Sequence, residues 1–225
     1  MGNKISIIVT HLILDDELFN LSSTALQKIK ENTYNEYELI NVDNGSYKKY
    51  RDLLMDTSDI YIKNKFNVGN GRAWDQGVLA SNNDIVILMD SDVFVEKDWD
   101  KEMVEKLDEN VGITFAYSKR GDLVEDYAGR HDGFLFAFKK ETYRLFGPFL
   151  CDQPFVLGYF EDDYFYYKVQ KGGLKLIACP SSRCWHKGQG TTKKIWNQEM
   201  IDGIEANKIW YESKTNGVYP YLNEK

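Results

Sequence analysis

The chain has 225 residues, 43% of them hydrophobic, which suits one large domain with a sizeable core. Its formal charge of −7 excludes a broad basic face for duplex nucleic acid. No run reaches the about 18 apolar residues that a membrane span needs.

In chain order, residues 4–10 are β-rich and predict a first strand. Residues 15–32 place Leu18, Leu21, Ala25, Leu26 and Ile29 at helical spacing, with acids early and lysines late, as a helix dipole favours. A second strand over 37–42 ends in the turn Asp43-Asn44-Gly45-Ser46. A helix over 47–55, a short strand over 59–63, a glycine-containing loop over 67–71 and a helix over 72–80 follow. Residues 85–89 form an unbroken, β-branched apolar run, the pattern of a central parallel strand covered on both faces. It stops abruptly at Asp90-Ser91-Asp92. Strands alternating with helices predict an α/β fold with a parallel, doubly wound sheet whose carboxyl ends share one crevice. Thr10, Asp43, the Asn67 loop and Asp90-Ser91-Asp92 all fall on that edge.

The second half reads differently. A surface helix over 99–107 and a strand over 111–117 precede a polar, aperiodic stretch over 119–132, expected to be a loop. A buried strand over 133–138 and a helix over 140–146 lead to Glu161-Asp162-Asp163, which opens a helix that ends at Gly172-Gly173. A strand over 174–178, an extended piece over 182–186 and a closing helix over 191–214 complete the chain. Ile195, Ile201, Ile204 and Ile209 are expected on or near the inner face of that last helix. Cys151, Cys179 and Cys184 lack metal-type spacing and read as thiols of a reducing compartment. With no secretory signal, the expected location is the cytoplasm.

Three sites can carry chemistry. Asp90 and Asp92 are hard oxygen ligands suited to Mg²⁺ or Mn²⁺ with a substrate phosphate, although Asp-Ser-Asp also reads as a polar turn. Glu161-Asp162-Asp163 at a helix start also serves the helix dipole. His186, in WHKGQGTT, is either structural or the imidazole that completes a divalent-ion site.

Taken in order, the pieces SIIVT, ELINVDNGS, NVGNGRAWDQG, ILMDSDV, GFLFAFKKETYRLFGPF, YFEDDYFYYKVQKGGLKL and CWHKGQGTT resemble the GT-A glycosyltransferases, in particular the large inverting family 2. The resemblance runs from Ile5 to about Thr192. It implies a GT-A fold: a single Rossmann-like domain with a mostly parallel central sheet flanked by helices. Residues 1–98 would be the nucleotide-sugar-binding half, 99–190 the acceptor and catalytic half, and 191–225 a C-terminal helix and tail. Thr10 and Asp43 would meet the nucleotide base and ribose, with Arg72 assisting. Asp90 and Ser91 would lie near the donor ribose, Asp92 would be a direct metal ligand, and His186 a second ligand or a diphosphate contact. Asp162 would be the general base, with Asp163 the alternative, and Glu161 would help hold the acceptor. His131 and Asp132 would lie near the donor sugar. The implied cofactor is Mn²⁺ or Mg²⁺. The implied donor is a nucleotide-diphospho-sugar, a UDP-sugar first, and the acceptor a carbohydrate or glycolipid, with a nucleic-acid acceptor left open. Asp75 and Leu12 depart from the family pattern, at positions where Asn and a base-stacking aromatic are common. The competing readings are a retaining GT-A transferase and a non-catalytic sugar- or nucleotide-binding module of the same fold.

Overall fold

The computed structural model describes residues 4–120, 128–129, 131–188 and 190–223, so most of the expected loop over 119–132 lies outside the described residues. The first half alternates strand and helix: β1 (Lys4–His11), α1 (Asp16–Asn32), β2 (Glu36–Asp43), α2 (Arg51–Thr57), β3 (Ile60–Lys63), α3 (Asn70–Ala80) and β4 (Ile85–Asp90). Then come β5 (Val93–Val95), α4 (Trp99–Glu105), β6 (Val111–Arg120), β7 (Ala128–Gly129), β8 (Leu135–Lys139) and α5 (Lys140–Phe146). The chain continues through α6 (Glu161–Lys171), β9 (Lys175–His186), α7 (Gly190–Ile195) and α8 (Gln198–Thr215).

The strands form one sheet in the order β3-β2-β1-β4-β8-β6-β9-β5, with β7 beside β6. The first four strands are parallel, as short strand–helix–strand connections require. Beyond β4 the sheet becomes mixed: β8 runs antiparallel to both β4 and β6, while β6 and β9 are parallel. The sheet separates two layers of core. Ile87 and Met89 of β4 pack toward α1 and α4, whereas Val86 and Leu88 pack toward α3 and α6. All four are buried, which is why the run is apolar without alternation. Each such side chain contributes about 1.5–3 kcal/mol relative to exposure.

Several local expectations shift. The helix over 47–55 divides into a 3-10 turn at Lys48–Tyr50 and α2. The two pieces expected at 174–178 and 182–186 are one strand, β9, with a register shift where it passes Ala116 and Tyr117 of β6. The gap between the two expected pieces is therefore an irregularity inside a strand. The closing helix is broken at Trp196 and Asn197, whose side chain accepts from Met200 N and starts α8. Ile201 and Ile209 are exposed, and the inner face of α8 instead carries Gly203, Asn207, Trp210 and Tyr211. No helix among the described residues is long and apolar enough to cross a membrane.

Candidate active site

A cleft of about 390 Å³ opens along the carboxyl edge of β1 and β4 and is closed by the start of α6, the end of β9 and α7. Strand pairing explains which side chains meet there. Thr10 and Asp90 are register partners at the ends of β1 and β4, so both reach the edge together. A two-residue turn carries Ser91 and Asp92 from β4 into β5. Val93 of β5 then pairs with His186 of β9, which brings the last residue of a 12-residue strand back to the Asp turn. Lys187 N donates to Asp92 O at 3.1 Å and fixes that junction.

The consequence is a compact ligand set. His186 Nε2 is 3.2 Å from Asp92 Oδ1. One ligand atom each from Asp90, Asp92 and His186 lie within 4.8 Å of one another. The His186 ring packs on Phe134 with centroids 4.2 Å apart, so apolar packing orients the imidazole. Its Nδ1 is buried without a partner. Two carboxylates and an imidazole fit a divalent cation of the Mn²⁺ or Mg²⁺ kind.

Facing the same cleft is the start of α6. Glu161 is 3% exposed and its Oε2 has no partner. Asp162 packs against Gly133, where any Cβ would collide with its Oδ2. Burial pushes Asp90 up to about 7, reinforced by repulsion from Asp92. Burial likewise raises Asp162, helped by its neighbours Asp163 and Asp132. Burial and then Asp162 raise Glu161, while burial, Glu161 and Asp132 raise Asp163. So many carboxylates with little local cation are costly to ionise, a property that functional clusters share with some structural networks. His131 and Asp132 line the cleft as well, and burial lowers His131.

Two sequence-derived candidates stand elsewhere. Arg72 is exposed on α3 and does not line the cleft; its neighbours Asn70 and Trp74, one turn apart, do. Helical spacing turns Arg72 away from that face. Asp43 is fully buried and does not line the cleft either. Its carboxylate accepts from Ser46 N at 2.7 Å, Gly45 N at 3.2 Å and the Tyr61 hydroxyl at 2.8 Å, and pairs with Arg51 at 3.1 Å. With its lone pairs so engaged, Asp43 shapes the turn after β2. The residue after it, Asn44, reaches the cleft instead. Asn44 Nδ2 donates to Asn67 Oδ1 at 2.8 Å and its Oδ1 accepts from Val68 N at 3.0 Å, which ties the β2 turn to the loop before α3.

Sequence reasoning also missed Trp74, whose buried indole Nε1 has no partner, and Gly133, Phe134, Thr191 and Thr192. The i, i+4 spacing of Asn70 and Trp74 was the one available signal. Asp75 has a structural duty: its two oxygens accept from Phe149 N at 2.9 Å, Leu150 N at 3.0 Å and the Tyr143 hydroxyl at 2.8 Å.

Known structures share this fold. A mannosyltransferase from Pyrobaculum calidifontis, solved with GDP-Man and Mn²⁺, superposes with a TM-score of 0.71 at 17% identity, over 98% of this chain and 66% of that one. S. aureus TarS 1–349 gives a TM-score of 0.64 at 12% identity, over 95% of this chain and 74% of that one. The same TarS fragment in complex with UDP-GlcNAc gives 0.65 at 13% identity, over 90% and 64%. The chain thus spans roughly two thirds of the length of these structures. No curated protein sequence matches it. Residues 23–167 match the family model described as Glycosyl transferase family 2, more than half of the chain, and the chain belongs to that family.

Proposed function

We propose that this protein is an inverting glycosyltransferase that moves a sugar from a nucleotide-diphosphate donor to an acceptor hydroxyl. The observation that carries the reading is the convergence of Asp90, Asp92 and His186 with Glu161 and Asp162 on one cleft. Asp90, Asp92 and His186 would hold the cation, which when bound stabilises negative charge on the departing diphosphate. Thr10, Ser91, Asn44 and the Asn67 loop would bind the nucleotide, and His131 and Asp132 would lie beside the donor sugar.

Asp162 takes the proton of the acceptor hydroxyl as its oxygen bonds to the anomeric carbon. The bond from that carbon to the diphosphate oxygen breaks, and its electron pair leaves with the nucleoside diphosphate. A carboxylate raised toward working pH is a stronger base than an exposed one. Glu161 accepts a hydrogen bond from the acceptor through its unpartnered Oε2 and holds the attacking oxygen in line. Attack opposite the leaving group inverts the anomeric centre.

The ligands bound in the similar structures, GDP-Man with Mn²⁺ and UDP-GlcNAc, support a nucleotide-sugar donor and a divalent ion. In this reading the acceptor is a carbohydrate or glycolipid, met in the cytoplasm, a reducing compartment that suits the free thiols of Cys151, Cys179 and Cys184. The test is turnover of a panel of UDP-, GDP-, CDP- and dTDP-sugars with Mn²⁺, followed by NMR of the product linkage. Inversion is expected; retention, or no turnover of any donor, contradicts the reading.

A further inference from the structure

We propose that Asn207 of α8, outside the cleft, is a positioning residue that holds the loop delivering Glu161 and Asp162 to the reaction. The proposal rests on the transferase reading for its catalytic consequence, and on geometry alone for the clamp itself.

The start of α6 is held unusually. Tyr159 and Phe160, the two residues before Glu161, are consecutive non-glycine residues with φ of 73° and 70°. L side chains disfavour that left-handed region, and two in a row persist only where the surroundings over-determine them. The helix does not hold its own start, because Phe160 at its N-cap makes no side-chain capping bond. The constraint comes from 47 residues later, where Asn207 is fully buried. Its Nδ2 donates to Phe155 O at 2.7 Å, Gly158 O at 3.0 Å and Tyr159 O at 3.1 Å, and its Oδ1 accepts from Phe155 N at 2.9 Å. One planar amide thereby engages four backbone groups of a loop that has no regular structure, its two N–H hydrogens shared among three carbonyls.

The clamp extends along one helical stripe at i, i+4, i+8. Gly203, one turn before Asn207, leaves no room for a Cβ because the Phe155 ring lies against it. Tyr211, one turn after, packs its ring on Phe160 with centroids 5.6 Å apart. On the other side, Gly69 lies so close to Val156 O that a Cβ there would overlap it. The loop is pressed between the start of α3 and the face of α8, and Glu161 and Asp162 leave it with their direction fixed. A shift of about 1 Å in a reacting group costs on the order of 100-fold in rate.

Asn207 is matched to this duty. Alanine removes the partner of three carbonyls and one N–H, buried at Gly158 and partly buried at Phe155 and Tyr159, and aspartate directs negative charge at three carbonyl oxygens. The test compares wild type, Asn207→Ala and Gly203→Ala with Ile209→Ser, an exposed control on the same helix. Amide hydrogen exchange is followed over residues 155–163, together with binding of UDP and GDP with Mn²⁺, and transfer kinetics. In Asn207→Ala the exchange over 155–160 rises about tenfold or more while β1 and β4 stay protected. Nucleotide binding stays within about threefold, and kcat falls about 100-fold at nearly unchanged donor KM. Gly203→Ala gives the same pattern although alanine is the better helix former, which keeps the test decisive should Asn207→Ala not fold. Unchanged exchange over 155–160 overturns the clamp, and so does a parallel loss of nucleotide binding and kcat, the mark of a general loss of fold. Faster exchange in a chain whose wild type turns over no donor upholds the clamp and overturns the transferase reading instead.

Discussion

His186 Nε2 and Asp92 Oδ1 stand 3.2 Å apart because Val93, the residue after Asp92, is the strand partner of His186. The junction is built by a backbone ladder, so the local fold persists when either side chain is trimmed, although the side-chain contact is then lost. Asp92→Asn and His186→Ala are therefore expected to fold, yet each should abolish the extra thermal stabilisation that Mn²⁺ gives to the UDP or GDP complex. Ligands stabilise a fold by binding only its native state, so melting curves with and without Mn²⁺ read the effect directly. Full Mn²⁺-dependent stabilisation in Asp92→Asn would remove it from the ligand set.

Gly133 makes a sharper prediction about the base. A methyl at this position would overlap Asp162 Oδ2, so Gly133→Ala must turn the carboxylate aside. The expected outcome is a fall of about 100-fold in kcat with nucleotide binding preserved. Steady-state kinetics beside calorimetric titration of the nucleotide separate the two; wild-type kcat in Gly133→Ala contradicts the placement.

The carboxylate cluster also predicts a stability signature. Burial holds Asp162 up to about 8, against 3.8 for an ordinary aspartate, so the folded chain binds more protons than the unfolded chain between those values. Stability contributed by this group is therefore greatest at low pH and is lost as pH rises through the folded value. Asp162→Asn removes a charge the fold resists. Its melting temperature in EDTA should exceed wild type at about pH 8.5, with the gap narrowing toward about pH 5. A variant that melts below wild type at the higher pH contradicts this.

Asp75 is expected to act on stability rather than on substrate. Asn offers one acceptor oxygen where two oxygens now serve two backbone N–H groups and a phenol. Asp75→Asn should cost about 1–3 kcal/mol in urea unfolding. Nucleotide binding per folded molecule should be unchanged; a selective loss of UDP binding in a stable variant would place Asp75 in donor recognition.

Much of this architecture was legible in the sequence, and the failures have physical causes. The alternation of β1 to β4 with helices, and the apolar run ending in Asp90, are signals of local periodicity and came through intact. Asp90, Asp92 and His186 were each readable as residue types, and the structure brings them together through the β5–β9 ladder. That short β5 has no sequence signature. The inner face of α8 was misread because it is not apolar: Gly203 is there for close approach and Asn207 for hydrogen bonding, so hydrophobic spacing pointed to Ile201 and Ile209 instead. The resemblance implies that Asp43 meets the nucleotide base and ribose, whereas the residue that lines the cleft is its neighbour Asn44. The partners of Asp43, Tyr61 and Arg51, come from later elements and are invisible to a local reading.

In the proposed mechanism Asp162 acts on the acceptor's proton and not on donor binding. The most direct test is one variant measured twice, Asp162→Asn, by Mn²⁺-dependent nucleotide binding and by sugar transfer from the donor the panel identifies. Binding is expected within about threefold of wild type, with transfer reduced by at least about 1,000-fold. Transfer at the wild-type rate in that variant, with binding intact, would contradict the mechanism.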